Sequence, residues 1–256
     1  MRYCIASVKR KENIESIVCT ETGVLIRKRA DARLESLLEG LPKGRVAAYL
    51  GGVDAACPKS WRVQKETEKE ALFRGFGMEE GGVILRLDAE AELITKNTER
   101  KGIFGRAFDL EKALQLAKDR TGYLRYALEV AAGLPFEEIE AYLGSLSEEK
   151  RLSYARVIEK GCREGDADCL EIAREGIEGC ISLLAEIPEE DCPLYIEGVP
   201  MRRREELWEH IHSAFPGRFR PHSPAVPPML YAQMAAAALF KIEPDTGFCR
   251  RFLTTY

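Results

Sequence analysis

The sequence predicts a mixed α/β fold, and three features carry that prediction. Short strand-like runs crowd the start of the chain. Further apolar runs stop abruptly at glycine or aspartate. Amphipathic helical stretches alternate with them, which implies a mixed sheet covered by helices.

The opening meander comprises Tyr3–Val8, Ile14–Cys19 and Val24–Ile26, and its first turn, "KRKEN", is charged and lacks glycine. "DARLESLLEGLP" predicts a helix with Asp31 as N-cap and Leu34, Leu37 and Leu38 on one face. "RVAAYLGG" predicts a buried strand ending at Gly51–Gly52, and "KETEKEALFRGFG" a helix closing on Gly75 or Gly77. A second buried strand, "GVILRL", ends at Asp88, giving the order β-β-β-α-β-α-β. From Asp109 to about Ile187 the chain predicts helices almost throughout, with Ser147 opening one of them. In the longest, Leu170, Ala173, Ile177, Ile181 and Leu184 form a core-facing stripe. Strand ("PLYIEGV"), helix ("RREELWEHIHSAF"), strand ("RFRPHS") and helix ("MLYAQMAAAALF") follow. No internal repeat is legible. The weakest pattern lies at Thr95–Arg106, so the domain boundary is placed there, as 1–95 and 96–256.

A chain of 256 residues can bury a substantial core, and 45% hydrophobic with 31% charged residues is the balance of an ordinary soluble globular protein. Thirty-eight basic against 42 acidic residues, a formal charge of −4, argue against a nucleic-acid partner. No apolar run is long enough to span a bilayer, and the charged "MRYCIASVKRK" start is unlike a signal peptide. The eight cysteines show no CxxC and several fall on apolar faces, so a reduced, cytoplasmic protein is expected.

Chemistry-bearing patterns are sparse. His210 and His212 stand at i and i+2, which point to different sides of a helix, and His222 is remote, so no metal site is expected. Arg202–Glu205 sets three cations at a helix start; it reads as an anion contact or, more plainly, as a solvated face. Asp88, at the end of an apolar strand, reads as a general base at a strand tip or as a helix N-cap, and local pattern favours the cap. Gly51–Gly52 and Gly81–Gly82 lie in no phosphate-binding frame.

Longer stretches carry a resemblance. "GCREGDADCLEIAREGIEGCISLLAEI", "PLYIEGVP" and "PHSPAVPPMLYAQMAAAAL" resemble the C-terminal half of the BadF/BadG/BcrA/BcrD ATPases and N-acetylglucosamine kinases, within the superfamily of actin, sugar kinases and heat-shock ATPases. "RKGIFG" is similar to that family's Arg-x-Gly-Gly-Trp-Gly loop, keeping Gly102 and Gly105 with Phe104 in the aromatic place. "LDAEAEL" is similar to its Asn-Asp-Ala segment, with Asp88 at the acidic position. The resemblance implies a two-lobed actin-like ATPase fold of ribonuclease H-like lobes, the second reduced and helix-rich. It also implies a site in the interlobe cleft lined by Asp88, Gly102, Gly105, Asp109 and Gly198.

The departures are as informative. The family's first turn is Asp-Gly-Gly-Gly-Thr-Lys-Thr-like, because bare backbone must approach the ATP phosphates; here it is "VKRKEN". The second phosphate loop, Gly-Thr-Gly-Ser, has no counterpart between Asp88 and Arg100. The Gly-Gly of the nucleotide-side strand is Glu197–Gly198, the Gly-Ala is Tyr231–Ala232, and of Gly-Asp-Glu-Gly-Ser only Asp109 remains. The implied function is therefore that of a degenerate member, binding a small molecule or protein partner in the cleft with little or no catalysis. Lys9 and Lys11 would meet an anion through side chains, and a homodimer is an open option. The alternative is an ATP-dependent amino-sugar kinase or ATPase with Asp88 as general base; ATP and Mg²⁺ belong only to it.

Overall fold

The computed structural model describes residues 1–256 except 11, 12, 31, 32, 103, 199 and 200; the side chains of residues 10 and 201–203 also lie outside the description. The chain forms two compact units. One comprises Met1–Gly81 with Ser223–Tyr256, the other Gly82–His222. The sequence-based cut at 95/96 instead falls within a hairpin of the second unit.

Unit 1 opens with β1 (Arg2–Arg10), β2 (Asn13–Thr20) and β3 (Leu25–Ala30), joined antiparallel. The predicted helix after them shrinks to a single 3₁₀ turn, Leu34–Leu37, and its proposed cap Asp31 lies outside the described residues. β4 (Arg45–Gly51) pairs parallel with β1, and β5 (Arg62–Glu66) parallel with β4, giving the order β3-β2-β1-β4-β5. The sequence reading missed β5. Its residues "RVQKE" are charged, and they run straight into α1 (Glu68–Gly75), whose Thr67 capping box fixes the helix start. Both faces of the sheet are buried. Cys4, Ala6, Ile17, Ala47 and Tyr49 pack on one side, and Ile5, Val18, Val46, Ala48 and Leu50 on the other. That explains why β1 and β4 read as continuous apolar runs. Cys4 and Cys19 are cross-strand neighbours, and burial pushes both thiols up to about 12, which leaves them inert.

Unit 2 repeats the pattern. β6 (Val83–Leu87), β7 (Ala91–Ile94) and β8 (Glu99–Gly102) form an antiparallel meander. A helical stretch follows: α2 (Arg106–Asp119), α3 (Tyr123–Ala132), α4 (Phe136–Gly144), α5 (Glu148–Ser153), α6 (Arg156–Glu164) and α7 (Ala167–Leu184). Then β9 (Cys192–Glu197) joins β6 in parallel, α8 (Met201–Ala214) crosses over, and β10 (Phe219–Pro221) pairs with β9. The sheet order β8-β7-β6-β9-β10 matches that of unit 1 strand for strand. An architectural repeat thus exists where none was legible in the residues. The buried face of α7 is Cys169, Ile172, Ala173, Cys180, Leu183 and Leu184; Leu170, assigned to the stripe, is 46% exposed.

The chain then returns to unit 1. α9 (Pro228–Ala238) lays Met229, Leu230, Ala232, Ala236 and Ala237 into the core beside β1 and β4, its small residues permitting close approach. Gln233 is wholly buried and donates to the Cys4 carbonyl at 2.6 Å. α10 (Thr246–Thr255) begins at Asp245, whose carboxylate accepts from Phe248 N, and it packs beside β3. Among the described residues no helix is long and apolar enough to cross a membrane.

Candidate functional site

The two matching sheets make the β1–β2 and β6–β7 turns topological equivalents. Each would be the place for a backbone phosphate grip. The β1–β2 ladder runs without interruption to Arg10↔Asn13, so only positions 11 and 12 separate the strands. Lys11 lies outside the described residues. Lys9 stands opposite Ile14 in the ladder and pairs with Glu68, in the first turn of α1, at 3.2 Å.

Asp88 is followed by a turn and a strand, so the N-cap reading is corrected: it starts the three-residue tip Asp88–Ala89–Glu90 of the β6–β7 hairpin. The reason is tertiary. "DAEAEL" has ample helix propensity, but Ala91 and Leu93 find a buried place in the sheet and override it. This tip, at the start of the Asp88–Arg100 span in which the sequence offers no Gly-Thr-Gly-Ser loop, is the topological equivalent of the β1–β2 turn. Its carbonyls are turned to the start of α2. The Asp88 carbonyl accepts from Arg106 N at 2.8 Å and the Ala89 carbonyl from Ala107 N at 3.0 Å, so the tip caps the first turn of α2. The Asp88 carboxylate in turn accepts from the Arg106 guanidinium.

Two glycines allow this closure. Gly105, at φ +129, precedes α2, and a Cβ there would lie 2.7 Å from the Asp88 carbonyl oxygen. Gly198, at φ +89, follows β9, where a Cβ would overlap the Leu87 carbonyl oxygen. Gly102 serves packing instead: a Cβ would meet Leu183 of α7 at 2.9 Å. Phe104 lies on Gly179 of the same helix and meets Phe108 edge-on at 5.6 Å. The "RKGIFG" loop is therefore a docking element for α7.

The structure brings Asp88, Gly105, Asp109 and Gly198 together around one cavity of about 440 Å³ in unit 2. Gly102 does not line it, and Lys9 belongs to unit 1. Asp109 is 5% exposed and sits inside the first turn of α2, its amide bonded to Gly105 O at 2.9 Å; the helical region predicted to start at Asp109 begins three residues earlier. The apolar wall comes from Phe104, Ile177, Cys180 and Leu207, where the helical core meets the sheet core.

Sequence reasoning missed three charged residues there: Arg106 on α2, and Arg156 and Glu159 on α6. Arg156 is exposed and Glu159 half-buried, and among the described residues neither side chain has a hydrogen-bond or ion-pair partner. Their i, i+3 spacing in "ARVIEKG" was the available signal, but it is indistinguishable from an ordinary solvated helix face.

Glu197, which stands in place of the first glycine of the family's Gly-Gly, is paired. Arg86 stands directly opposite both Glu197 and Glu92 and bonds to them at 2.9 and 3.0 Å, while Lys101, opposite Glu92, approaches it at 3.6 Å. A four-strand row of alternating charge results. Burial opposes the charge on Arg86, but its bonds to Glu197 and Glu92 outweigh this and raise its pKa. In unit 1, Glu66 ends β5 as the acceptor for Tyr49 Oη at 2.6 Å, Gln64 Nε2 at 2.8 Å and Arg74 Nη2 at 2.6 Å. Burial raises its pKa, yet the Arg74, Tyr49 and Gln64 bonds prevail and lower it overall. His210 and His212 lie exposed on α8; of Arg202–Glu205, Arg204 is half-buried and Glu205 exposed, while the side chains of Arg202 and Arg203 lie outside the described residues. Among the described residues no group of three histidine, cysteine or acidic residues is placed to hold a metal.

These features define a two-lobed α/β fold of the sugar-kinase and actin-like ATPase kind. A candidate N-acetylglucosamine kinase from Chromobacterium violaceum shares it, with a TM-score of 0.64 at 16% identity over 91% of this chain and 98% of its own. So does a candidate N-acetylglucosamine kinase from Porphyromonas gingivalis, with a TM-score of 0.57 at 11% identity over 93% and 99%. At such identities the likeness shows the fold alone. No protein-family model matches the chain, and no curated protein matches it in sequence.

Proposed function

We propose that this chain is a binding protein built on the sugar-kinase fold, with little or no phosphoryl transfer, and that its ligand is a small molecule held in the unit 2 cavity. One observation carries the reading: the carbonyls of the β6–β7 tip are committed to the first amides of α2, and Asp88 to Arg106. A phosphate grip needs backbone amides turned toward the anion, and here the tip and the helix end satisfy each other. The β1–β2 ladder, paired out to Arg10↔Asn13, leaves no room for a glycine loop. The residues at both turns therefore do not fit ATP–Mg²⁺, and no reaction step is assigned through it. The kinase alternative also asks Asp88 to take a proton from a substrate hydroxyl, in the place where it accepts from Arg106.

The cavity volume lies within the range of small-molecule sites. Melting the full chain with and without Mg-ATP tests the proposal. A ligand at about 100 times its Kd adds about 2.7 kcal/mol, a rise of roughly 5–10 °C for units of this size. The expected shift is within 1 °C, with no ADP formed. A rise of several degrees or steady ADP release would restore the kinase reading.

A further inference from the structure

The unit 2 cavity contains more charge than its closure uses. Arg106 and Asp88 satisfy each other at the mouth. Arg156 and Glu159 line the same space without partners among the described residues. They stand at i and i+3 on α6, where Cβ atoms lie about 5–6 Å apart. Two opposite charges so close would ordinarily pair with one another. Instead both line the cavity, whose lining also includes the apolar Phe104, Ile177 and Leu207.

Such a lining asks for a ligand with complementary parts. An ammonium would satisfy Glu159, and a carboxylate would satisfy Arg156 in the forked geometry guanidinium favours. Because the two partners are neighbours on one helix face, the ligand's two charges must also be neighbours. An apolar body then fills the wall side, where burial of carbon contributes the non-directional part of the affinity. We infer that the cavity binds a small zwitterion with ammonium and carboxylate on adjacent positions and an apolar tail, the chemistry of a free aliphatic α-amino acid. The inference rests on the non-catalytic reading above only in taking the cavity, not the hairpin turns, as the binding place.

Calorimetric titration of the full chain with L-leucine is the test, with N-acetyl-L-leucine, which lacks the cation, and L-leucinamide, which lacks the anion. Leucine should saturate with a Kd of about 1 mM or tighter, and each comparator should bind at least about tenfold more weakly. Glu159→Gln should abolish the preference for leucine over N-acetyl-leucine, and Arg156→Ala the preference over leucinamide. Both positions are at least partly exposed, and far-ultraviolet circular dichroism checks that each variant folds. Comparators that bind as well as leucine, variants that leave both preferences intact, or no saturation by about 50 mM would overturn the inference. Turnover of Mg-ATP in the same preparation would sink the non-catalytic reading instead, while the leucine titration would still decide the ligand class.

Discussion

The row Glu197–Arg86–Glu92 offers the most exacting test of how unit 2 holds together. Arg86 and Glu92 are each 15% exposed and Glu197 34%, so the row is shielded at its centre and wetter at one end. Arg86→Met removes two charge-assisted hydrogen bonds, each worth about 1.5–3 kcal/mol, and leaves two carboxylates beside a vacated position. Breaking a fully buried pair costs about 3–5 kcal/mol. Partial exposure of Glu197 puts the expected loss at the lower end, about 3 kcal/mol. The two tryptophans divide between the units, Trp61 in unit 1 and Trp208 in unit 2, so a Trp61→Phe background lets Trp208 fluorescence report unit 2 alone in urea. The midpoint should fall by roughly 1–2 M at an ordinary denaturant slope. Adding Glu92→Leu and Glu197→Leu to Arg86→Met should recover most of the loss, because an apolar row strands no charge. A single-variant loss below about 1 kcal/mol, or a triple variant no better than the single, would refute the argument.

Two further outcomes are expected. Glu66 has a lowered folded pKa, so its contribution to unit 1 is present above the ordinary glutamate value of 4.5 and is lost as the pH falls through the lower folded value. Acid unfolding followed through Trp61 should lose part of its pH dependence below 4.5 in Glu66→Gln, at a cost near neutrality of about 2 kcal/mol; an unchanged acid limb would contradict this. Gly105→Ala must hold φ +129 against two carbonyl oxygens within 2.9 Å, so a loss of about 3 kcal/mol is expected, whereas Gly122→Ala, in extended backbone with open space around it, should change stability by less than about 1 kcal/mol. Equal melting points for the two variants would contradict the close approach of hairpin and helix.

The fold class was legible because sheets buried on both faces leave unbroken apolar runs, as in "YCIASV" and "RVAAYL". What escaped was whatever the local residues do not encode. β5 and β8 are charged edge strands, held by neighbours instead of by their own apolar pattern. The segment after Asp88, Ala89–Leu93, is rich in good helix formers, and the turn there is set by burial of Ala91 and Leu93 in the sheet and by bonds from the first amides of α2. The site was half visible. Asp88, Gly105, Asp109 and Gly198 came from a resemblance and do converge, while Arg106, Arg156 and Glu159 lie on helix surfaces whose orientation only packing decides. The misread stripe of α7 shows the same limit: Leu170 keeps the period but points away from the core.

The discontinuity of unit 1 has a consequence for synthesis. Its sheet leaves the ribosome first, yet the helices that cover one face, α9 and α10, follow only after the roughly 140 residues of unit 2. At about 5–20 residues per second, Cys4 and Ile17 spend on the order of 10–30 s without the cover of α9 and α10 in the nascent chain. Unit 2, continuous in sequence, is complete before that wait ends. The strands made earliest are thus the last to be sealed, and a chaperone that shelters them during elongation would find its quarry on that open face.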